Sequence, residues 1–268
     1  ETMGISNAYV AKYLKYIITL NIKCVDKVWG PISNMLSKSE NWRTTRELQD
    51  AQVIKMFIVK MFVFYYPFVY EIVFKPVTAG CGPKQSHHDL TGCVDSLNAN
   101  LLVFFVSQVL IEAALLVVGL LMTAFYVRAE KSKRPNKPYT YLEIQAKCPP
   151  YTEDELTADM LNAVVTYGYI MLFGVSLPSM CMLGFISNFV MIKLLAYKVS
   201  FAYQRPIPEA VDGIGVWEKL ISTISYLAVP MNTYIAVFTL QAFQSQPLVW
   251  KLLTFIIVQN LGLGLKMA

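Results

Sequence analysis

Apolar runs long enough to cross a lipid bilayer recur along almost the whole chain. A transmembrane helix needs about 20 consecutive, mostly apolar residues. Seven segments approach or reach this length, although the first is weak and the fifth is marginal: 16–36, 53–74, 101–126, 160–180, 181–197, 217–240 and 247–267. Only 15% of the 268 residues are charged, against about 25% in a typical soluble domain. The sequence therefore predicts an all-α, polytopic transmembrane helix bundle of about seven membrane helices, and not a large soluble helical protein.

Basic residues concentrate in alternate connections between these segments. Lysine and arginine are enriched in the cytoplasmic loops of membrane proteins. This rule places loops 37–50, 127–157 and 198–216 in the cytoplasm, and loops 76–98, 176–179 and 241–247 on the opposite side. The basic residues that set this orientation are Lys38, Arg43, Arg46, Arg128, Lys131, Lys133, Arg134, Lys137, Lys147, Lys198 and Arg205.

Two of the five cysteines, Cys81 and Cys93, share the far-side loop 76–98. Disulfides persist in oxidising compartments such as a lumen. We expect these two cysteines to pair, and two free thiols are the alternative. The other three are scattered without the close spacing of a zinc site, so no zinc site is expected.

The first apolar segment contains three charged residues, Lys23, Asp26 and Lys27. A charge at membrane depth costs several kcal/mol unless it faces a bundle interior or water. We therefore expect this helix to line a hydrated groove.

Lys60 lies five residues, or about 1.4 helical turns, deeper in the second segment than Lys55. Two interpretations are open. A long lysine stem extends along an apolar surface to reach water, or the ammonium group lines a conduit that favours anions or lipid phosphates.

Three polar residues in later segments are candidates for a cation site. Glu112 is the sole ionisable residue between Ser96 and Tyr126, and it is either a protonated packing residue or a cation ligand. Asp159 and Asn162 are three residues apart and share a helix face. A carboxylate near a helix start is also favoured by the helix dipole alone, so Asp159 has two interpretations.

Catalytic motifs of soluble enzymes are absent from the sequence. It contains no G-x-S-x-G, H-E-x-x-H, P-loop or G-x-G-x-x-G pattern. No stretch interleaves basic and aromatic residues as nucleic-acid-binding segments do. The sequence GLGLK at 262–266 is more typical of close helix packing. We expect neither an enzyme nor a nucleic-acid partner.

Several stretches, taken in order, resemble the anoctamin family. They are SENWRTTRE at 39–47, KMFIVKMFVFYYPFVYEIVFK at 55–75, CGP at 81–83 with GC at 92–93, VVTYGYIMLFGVSLP at 164–178, SNFVMIKLLAYK at 187–198, YQRPIPEAVDGIGVW at 203–217 and LAVPMNTYIAVFT at 227–239. The most specific is YQRPIPEAVDGIGVW, which resembles the family pattern R-R-P-V-P-x-x-x-x-D-I-G-I-W.

The resemblance implies calcium-activated chloride channels or phospholipid scramblases, with membrane lipids and anions as partners. It matches this chain to the family's fourth to tenth helices, so residues 1–268 are expected to form a single transmembrane domain of a longer protein. It also implies a homodimer formed through the last helix, or a subunit of a larger membrane complex.

The family's calcium ligands lie on its helices six, seven and eight. Alignment places Asp159 and Asn162 at the helix-seven pair, but Met191 and Leu195 at the two helix-eight acids. On helix six, alignment places Ala113 and Val117 at the ligand positions, with Glu112 one residue away. Calcium takes six to eight oxygen ligands. Glu112, Asp159 and Asn162 therefore form a degenerate site at most, and we expect no bound calcium as a cofactor.

Where Glu112 and Asp159 approach each other with no metal between them, an internal cation can compensate their charges. Lys193, on the helix after Asp159, is the candidate for such an internal cation. The sequence thus predicts a lipid scramblase or anion channel with a degenerate calcium site, whose groove is lined by Lys23, Asp26, Lys27 and Lys60. The alternative is an accessory membrane subunit that keeps the fold without transport activity.

Overall fold

A computed structural model of the chain describes residues 25, 28–78, 91–133, 140–206, 213–239, 243 and 246–267. The described part is helical apart from turns and one isolated bridge between Pro150 and Gln204. Its helices are α1 (28–39), α2 (Thr45–Val69), α3 (Thr91–Lys133), α4 (Tyr141–Ala146), α5 (Glu153–Phe173), α6 (Ser179–Tyr197), α7 (Val216–Tyr234) and α8 (Leu248–Met267).

Three of these helices continue into a π-helical turn. Tyr70–Phe74 follows α2 and leads into the short helix Lys75–Thr78, Lys198–Ala202 follows α6, and Ile235–Thr239 follows α7. In α2 and α7 a proline, Pro67 or Pro230, lies in the last turn and a half before the π-helical turn. Proline removes one backbone donor from the regular helical pattern, and such breaks are common places for π-type geometry.

Six helical stretches of the described residues are long and apolar enough to cross a membrane, and they coincide with the second to seventh predicted segments. The prediction of an all-α, polytopic bundle is confirmed. The first predicted segment, 16–36, lies mostly outside the described residues, although residues 28–39 are helical.

Helix boundaries differ from the predicted ones where capping signals and charged turns extend a helix beyond its apolar run. Thr44 accepts a hydrogen bond from the backbone of Glu47 and Glu47 accepts one in return, so α2 begins eight residues before the predicted start at 53. Helix α3 extends the predicted segment 101–126 at both ends. The predicted corner at 176–179 is confirmed, because α5 ends at Phe173 and α6 begins at Ser179.

The chain divides into two compact units, residues 1–98 with 214–268 and residues 99–213. In the first unit, α2 packs against α7, and α7 packs against α8. The buried side chains of this unit include Phe57, Phe64, Phe68, Leu220 and Ile224. The expectation that 1–268 forms a single transmembrane domain stays a prediction.

In the second unit, α5 packs against α6, and the ring of Tyr169 lies between two α3 phenylalanines. The ring centroid of Tyr169 is 5.6 Å from Phe104 and 6.4 Å from Phe105. Gly184 of α6 faces Ile170 of α5 so closely that an added Cβ would overlap the Ile170 side chain. A small residue therefore permits the close approach of these two helices.

Glycine is also required where α7 begins. Gly215 has φ +59° and ψ −130° at the N-cap position. L side chains rarely adopt this conformation, whereas glycine does so at little cost. The glycines of the DGIGVW stretch are thus partly explained by the sharp entry into α7.

Candidate functional site

Two acidic side chains of α5 face the neighbouring helix. Glu155 and Asp159 are four residues apart and so share one face of the helix. The helix starts after Thr152, and its first turn also contains Glu153 and Asp154. Negative charge in a first turn is favoured by the helix dipole, and Glu155 belongs to that turn.

Lys198 of the π-helical turn after α6 reaches both carboxylates. Its ammonium nitrogen donates to Asp159 Oδ2 at 2.8 Å, to Asp159 Oδ1 at 3.1 Å and to Glu155 Oε2 at 3.1 Å. Only 7% of the Lys198 side chain is exposed, against 18% for Asp159 and 42% for Glu155. The buried ammonium group therefore has three acceptor oxygens within hydrogen-bonding distance, as a buried charge requires.

Two tyrosines complete the surroundings of this ammonium group. Lys198 Nζ lies 5.4 Å from the ring centroid of Tyr151 and 5.1 Å from that of Tyr203. The Tyr151 hydroxyl donates to Asp159 Oδ2 at 2.8 Å, and the two rings meet edge to face at 5.6 Å. Aromatic faces attract cations. We call Tyr151, Glu155, Asp159, Lys198 and Tyr203 the lysine box.

Hydrogen bonds between two segments hold the backbone around the lysine box. One segment leads into α5, and the other follows the π-helical turn after α6. Gln204 donates from its backbone to the Pro149 carbonyl at 2.9 Å and from its side chain to the Ala146 carbonyl at 3.1 Å. Cys148 is buried beside them, and its thiol donates to the Ile144 carbonyl at 3.5 Å. Burial raises the pKa of the Cys148 thiol, so this cysteine stays a thiol at neutral pH.

Tyr151 is also kept neutral by its surroundings. Burial is the largest cause that raises the pKa of its phenol, followed by the hydrogen bond to Asp159 and the negative charges of Asp159 and Glu155. A neutral phenol remains a donor to the Asp159 carboxylate. The box therefore holds two carboxylates against one ammonium, with the tyrosines uncharged.

The lysine box does not fit a calcium ion. The oxygens that a metal would need, those of Asp159 and Glu155, accept hydrogen bonds from an ammonium group. Met191 and Leu195, at the aligned helix-eight positions, offer no hard oxygen ligands. Among the described residues, no group of three histidine, cysteine or acidic side chains could hold a metal ion.

Some of the predicted site residues lie outside the described part of the chain, and the others lie on different helices. Lys23, Asp26, Lys27 and Cys81 lie outside the described residues, as does the side chain of Glu112. Lys60 is buried in α2, with its ammonium 5.7 Å from the ring centroid of Phe64. Asn162 lies on α5, where its carbonyl accepts from Thr166. Their predicted roles in a groove or a metal site stay predictions.

Cys93 is disulfide-bonded, and its partner lies outside the described residues. Cys148 and Cys181 are free, which leaves Cys24 or Cys81 as that partner. The pairing with Cys81 stays a prediction.

The internal cation beside Asp159 is Lys198 and not Lys193. Lys193 is exposed and lies over the ring of Phe189 at 5.7 Å. The predicted cytoplasmic loop 198–216 includes Lys198, because the preceding apolar segment ends at Tyr197. Lys198 is instead the first residue of the π-helical turn that continues α6, and it is buried. The sequence does contain one sign that Lys198 belongs to the site. It is the last residue of SNFVMIKLLAYK, the stretch that resembles the family, and it lies seven residues after Met191.

Comparison with known proteins identifies the family. The family model described as "Anoctamin: Calcium-activated chloride channel" matches residues 2–268. Mouse anoctamin-7 is 24% identical over 249 residues, which are 87% of this chain and 29% of that protein. Human anoctamin-5 is 24% identical over 247 residues, or 89% of this chain and 27% of that protein. Human anoctamin-1 is 24% identical over 239 residues, or 80% of this chain and 23% of that protein.

The chain thus spans less than a third of the length of these relatives. The match nevertheless covers nearly every residue of the chain, and the six apolar helices agree with a multi-pass membrane protein. This protein is an integral membrane protein and belongs to the anoctamin family.

Proposed function

We propose that the protein forms a passage through which anions or lipid headgroups cross the membrane, and that calcium does not open it. The observation that carries the first part is the burial of Lys60. Its side chain is 6% exposed, and its ammonium lies beside Phe64, one turn beyond Lys60 and away from the start of α2. This position supports a cation kept within the bundle, and it does not favour snorkelling toward the start of α2.

A buried ammonium group biases a polar passage toward negative species. Coulomb interactions are several times stronger in a protein interior than in bulk water. Chloride and the phosphate of a lipid headgroup share the negative charge that Lys60 would attract. Passage along such a surface needs no covalent chemistry, in agreement with a channel or scramblase.

The second part of the proposal is supported by the lysine box. A calcium-gated passage needs a site that is empty at low calcium and filled at higher calcium. In this chain Asp159, which aligns with one position of that site, is already paired with Lys198. Because the ammonium group is part of the chain, its occupancy of this position does not depend on the calcium concentration. Opening of the passage would therefore not respond to calcium.

Reconstitution of the full-length protein in liposomes tests both parts. We expect movement of a fluorescent lipid, an anion flux, or both, at rates equal with calcium and with a calcium chelator. Protein-free liposomes are the control. Transport that requires calcium would contradict the second part. Absence of both activities, from protein shown to be folded and correctly inserted, would contradict the first part and support an accessory membrane subunit.

A further inference from the structure

We infer that Lys198 is a tethered cation that takes the place of a bound metal ion between α5 and α6. This inference deepens the calcium-independent part of the proposed function. It concerns binding and stability within the lysine box and does not depend on what crosses the membrane. Its tests therefore fail or succeed separately from the transport assay.

The ammonium group of Lys198 joins the end of α6 to α5. Asp159 offers both carboxylate oxygens, at 2.8 and 3.1 Å, and Glu155 offers one at 3.1 Å. Lys198 belongs to the α6 end of the box and the two acids belong to α5. Without the ammonium group, two carboxylates one helical turn apart would repel each other.

The same contacts exclude a divalent cation. A calcium ion that used these oxygens would lie beside the ammonium group, which is held within the box by the turn that carries it. The rings of Tyr151 and Tyr203 present their faces to a cation but add no oxygen ligand from those faces. Calcium prefers six to eight oxygens, and the box provides too few once Lys198 is present.

Tethering also distinguishes this cation from a metal ion that binds and leaves. The backbone carbonyl of Lys198 accepts from Tyr203, so the turn is closed on itself. Gln204, one residue later, is bonded to Pro149 and Ala146 on the connection that leads into α5. These hydrogen bonds hold the backbone near Lys198 in place, so its ammonium group stays beside Asp159. The contact between α5 and the end of α6 therefore does not depend on the calcium concentration.

Terbium luminescence tests the exclusion of metal. Tb³⁺ is a hard cation that takes oxygen ligands as Ca²⁺ does, and its emission increases when a tyrosine beside it is excited. In the full-length protein in detergent, we expect no emission assigned to the box in the wild type. Lys198→Met should create emission that excess calcium reverses and that Lys198→Met/Asp159→Asn lacks. Lys193→Met, which removes the same charge from the exposed face of α6, should behave as the wild type.

A double-mutant cycle tests the joining role. We expect Lys198→Met and Asp159→Asn each to lower the apparent Tm by about 5 °C or more, since each leaves a charge of the box unpaired. The double variant should lose clearly less than the sum of the two shifts, because the coupled pair is removed together. Lys198→Arg, which keeps the charge, should recover part of the loss. Calcium should raise the Tm of Lys198→Met but not that of the wild type or of Lys193→Met.

Three results would overturn the inference. One is wild-type terbium emission at micromolar concentrations that Asp159→Asn removes. Another is a Lys198→Met protein with unchanged Tm and no metal response. The third is strict additivity of the two shifts in the cycle. Should Lys198→Met fail to fold, the wild-type and Asp159→Asn measurements still decide whether the box binds metal.

Discussion

Lys60 and Lys198 are both buried lysines, and their surroundings differ. Lys198 lies against two carboxylates within hydrogen-bonding distance. The ammonium of Lys60 lies 5.7 Å from the ring centroid of Phe64. The proposed attraction of anions by Lys60 therefore rests on its burial and its positive charge, whereas the ion pairs of Lys198 join two parts of the chain.

We predict that Lys60→Glu reverses or strongly reduces the preference for anions. Exchanging a positive for a negative charge near a permeating ion changes its energy by at least about 1.4 kcal/mol at an interior effective dielectric, which is tenfold in selectivity. The ratio of chloride to sodium permeability in liposomes should therefore fall roughly tenfold. Lys219→Glu is the matched control, because Lys219 is exposed at the start of α7. Equal ratios for Lys60→Glu and the wild type would assign Lys60 to packing.

Single residues were the part of the site least predictable from sequence. Asp159 was identified from its spacing to Asn162, but its partners Lys198, Tyr151 and Tyr203 come from distant positions and meet only through the fold. The sequence predicts Lys198 to be one of the basic residues of the cytoplasmic loop 198–216. Its burial depends on a π-helical turn, and hydrophobic periodicity does not indicate such turns.

Helices were the part most predictable from sequence, because bilayer thickness fixes a minimum apolar length. The second to seventh predicted segments each contain a described membrane-length helix. Their ends were less predictable, since polar capping residues such as Thr44 extend a helix without adding to its apolar run. The pattern GLGLK indicated helix packing, and the structure assigns that role to one of its glycines.

Gly262 and Gly264 of α8 offer a matched pair for testing helix packing. A Cβ at Gly262 would lie 2.9 Å from Val229 Cγ1 of α7, whereas one at Gly264 would meet nothing within 4 Å. We predict that Gly262→Leu lowers stability by about 1–3 kcal/mol through overpacking. Gly264→Leu should be neutral or slightly stabilising, because leucine favours helix more than glycine does. Thermal unfolding in detergent is the measurement, and equal losses in both variants would show that α7 and α8 do not pack here.

At the scale of the whole molecule, each compact unit brings together loops that the basic residues assign to one side. In the first unit, an added Cβ at Gly215 would lie 3.8 Å from Arg46 Nη2. In the second unit, Gln204 is bonded to Pro149. Within each unit these neighbours belong to loops that the prediction assigns to one side, and the orientation itself stays a prediction. A homodimer through α8 stays a prediction.

Cysteine labelling tests the orientation of the complete protein. We predict that single cysteines at Ser39 and Thr152, both exposed, react with a membrane-impermeant reagent from the same side, and that one at exposed Gln246 reacts from the other. Cys181→Ser provides the background, because Cys181 is an exposed free thiol. Labelling of Thr152→Cys and Gln246→Cys from one side would refute the predicted alternation of the loops.

The 43 residues of α3 make a rod of about 65 Å. Even at a tilt of 40°, near the upper limit for membrane helices, it would rise about 50 Å, more than the about 40–45 Å of a bilayer with its headgroups. Some of the rod must stand in water, and its charged end carries Glu130, which pairs with Lys147 at 2.6 Å. The Glu130–Lys147 ion pair therefore links this end of the helix to the connection that precedes α5.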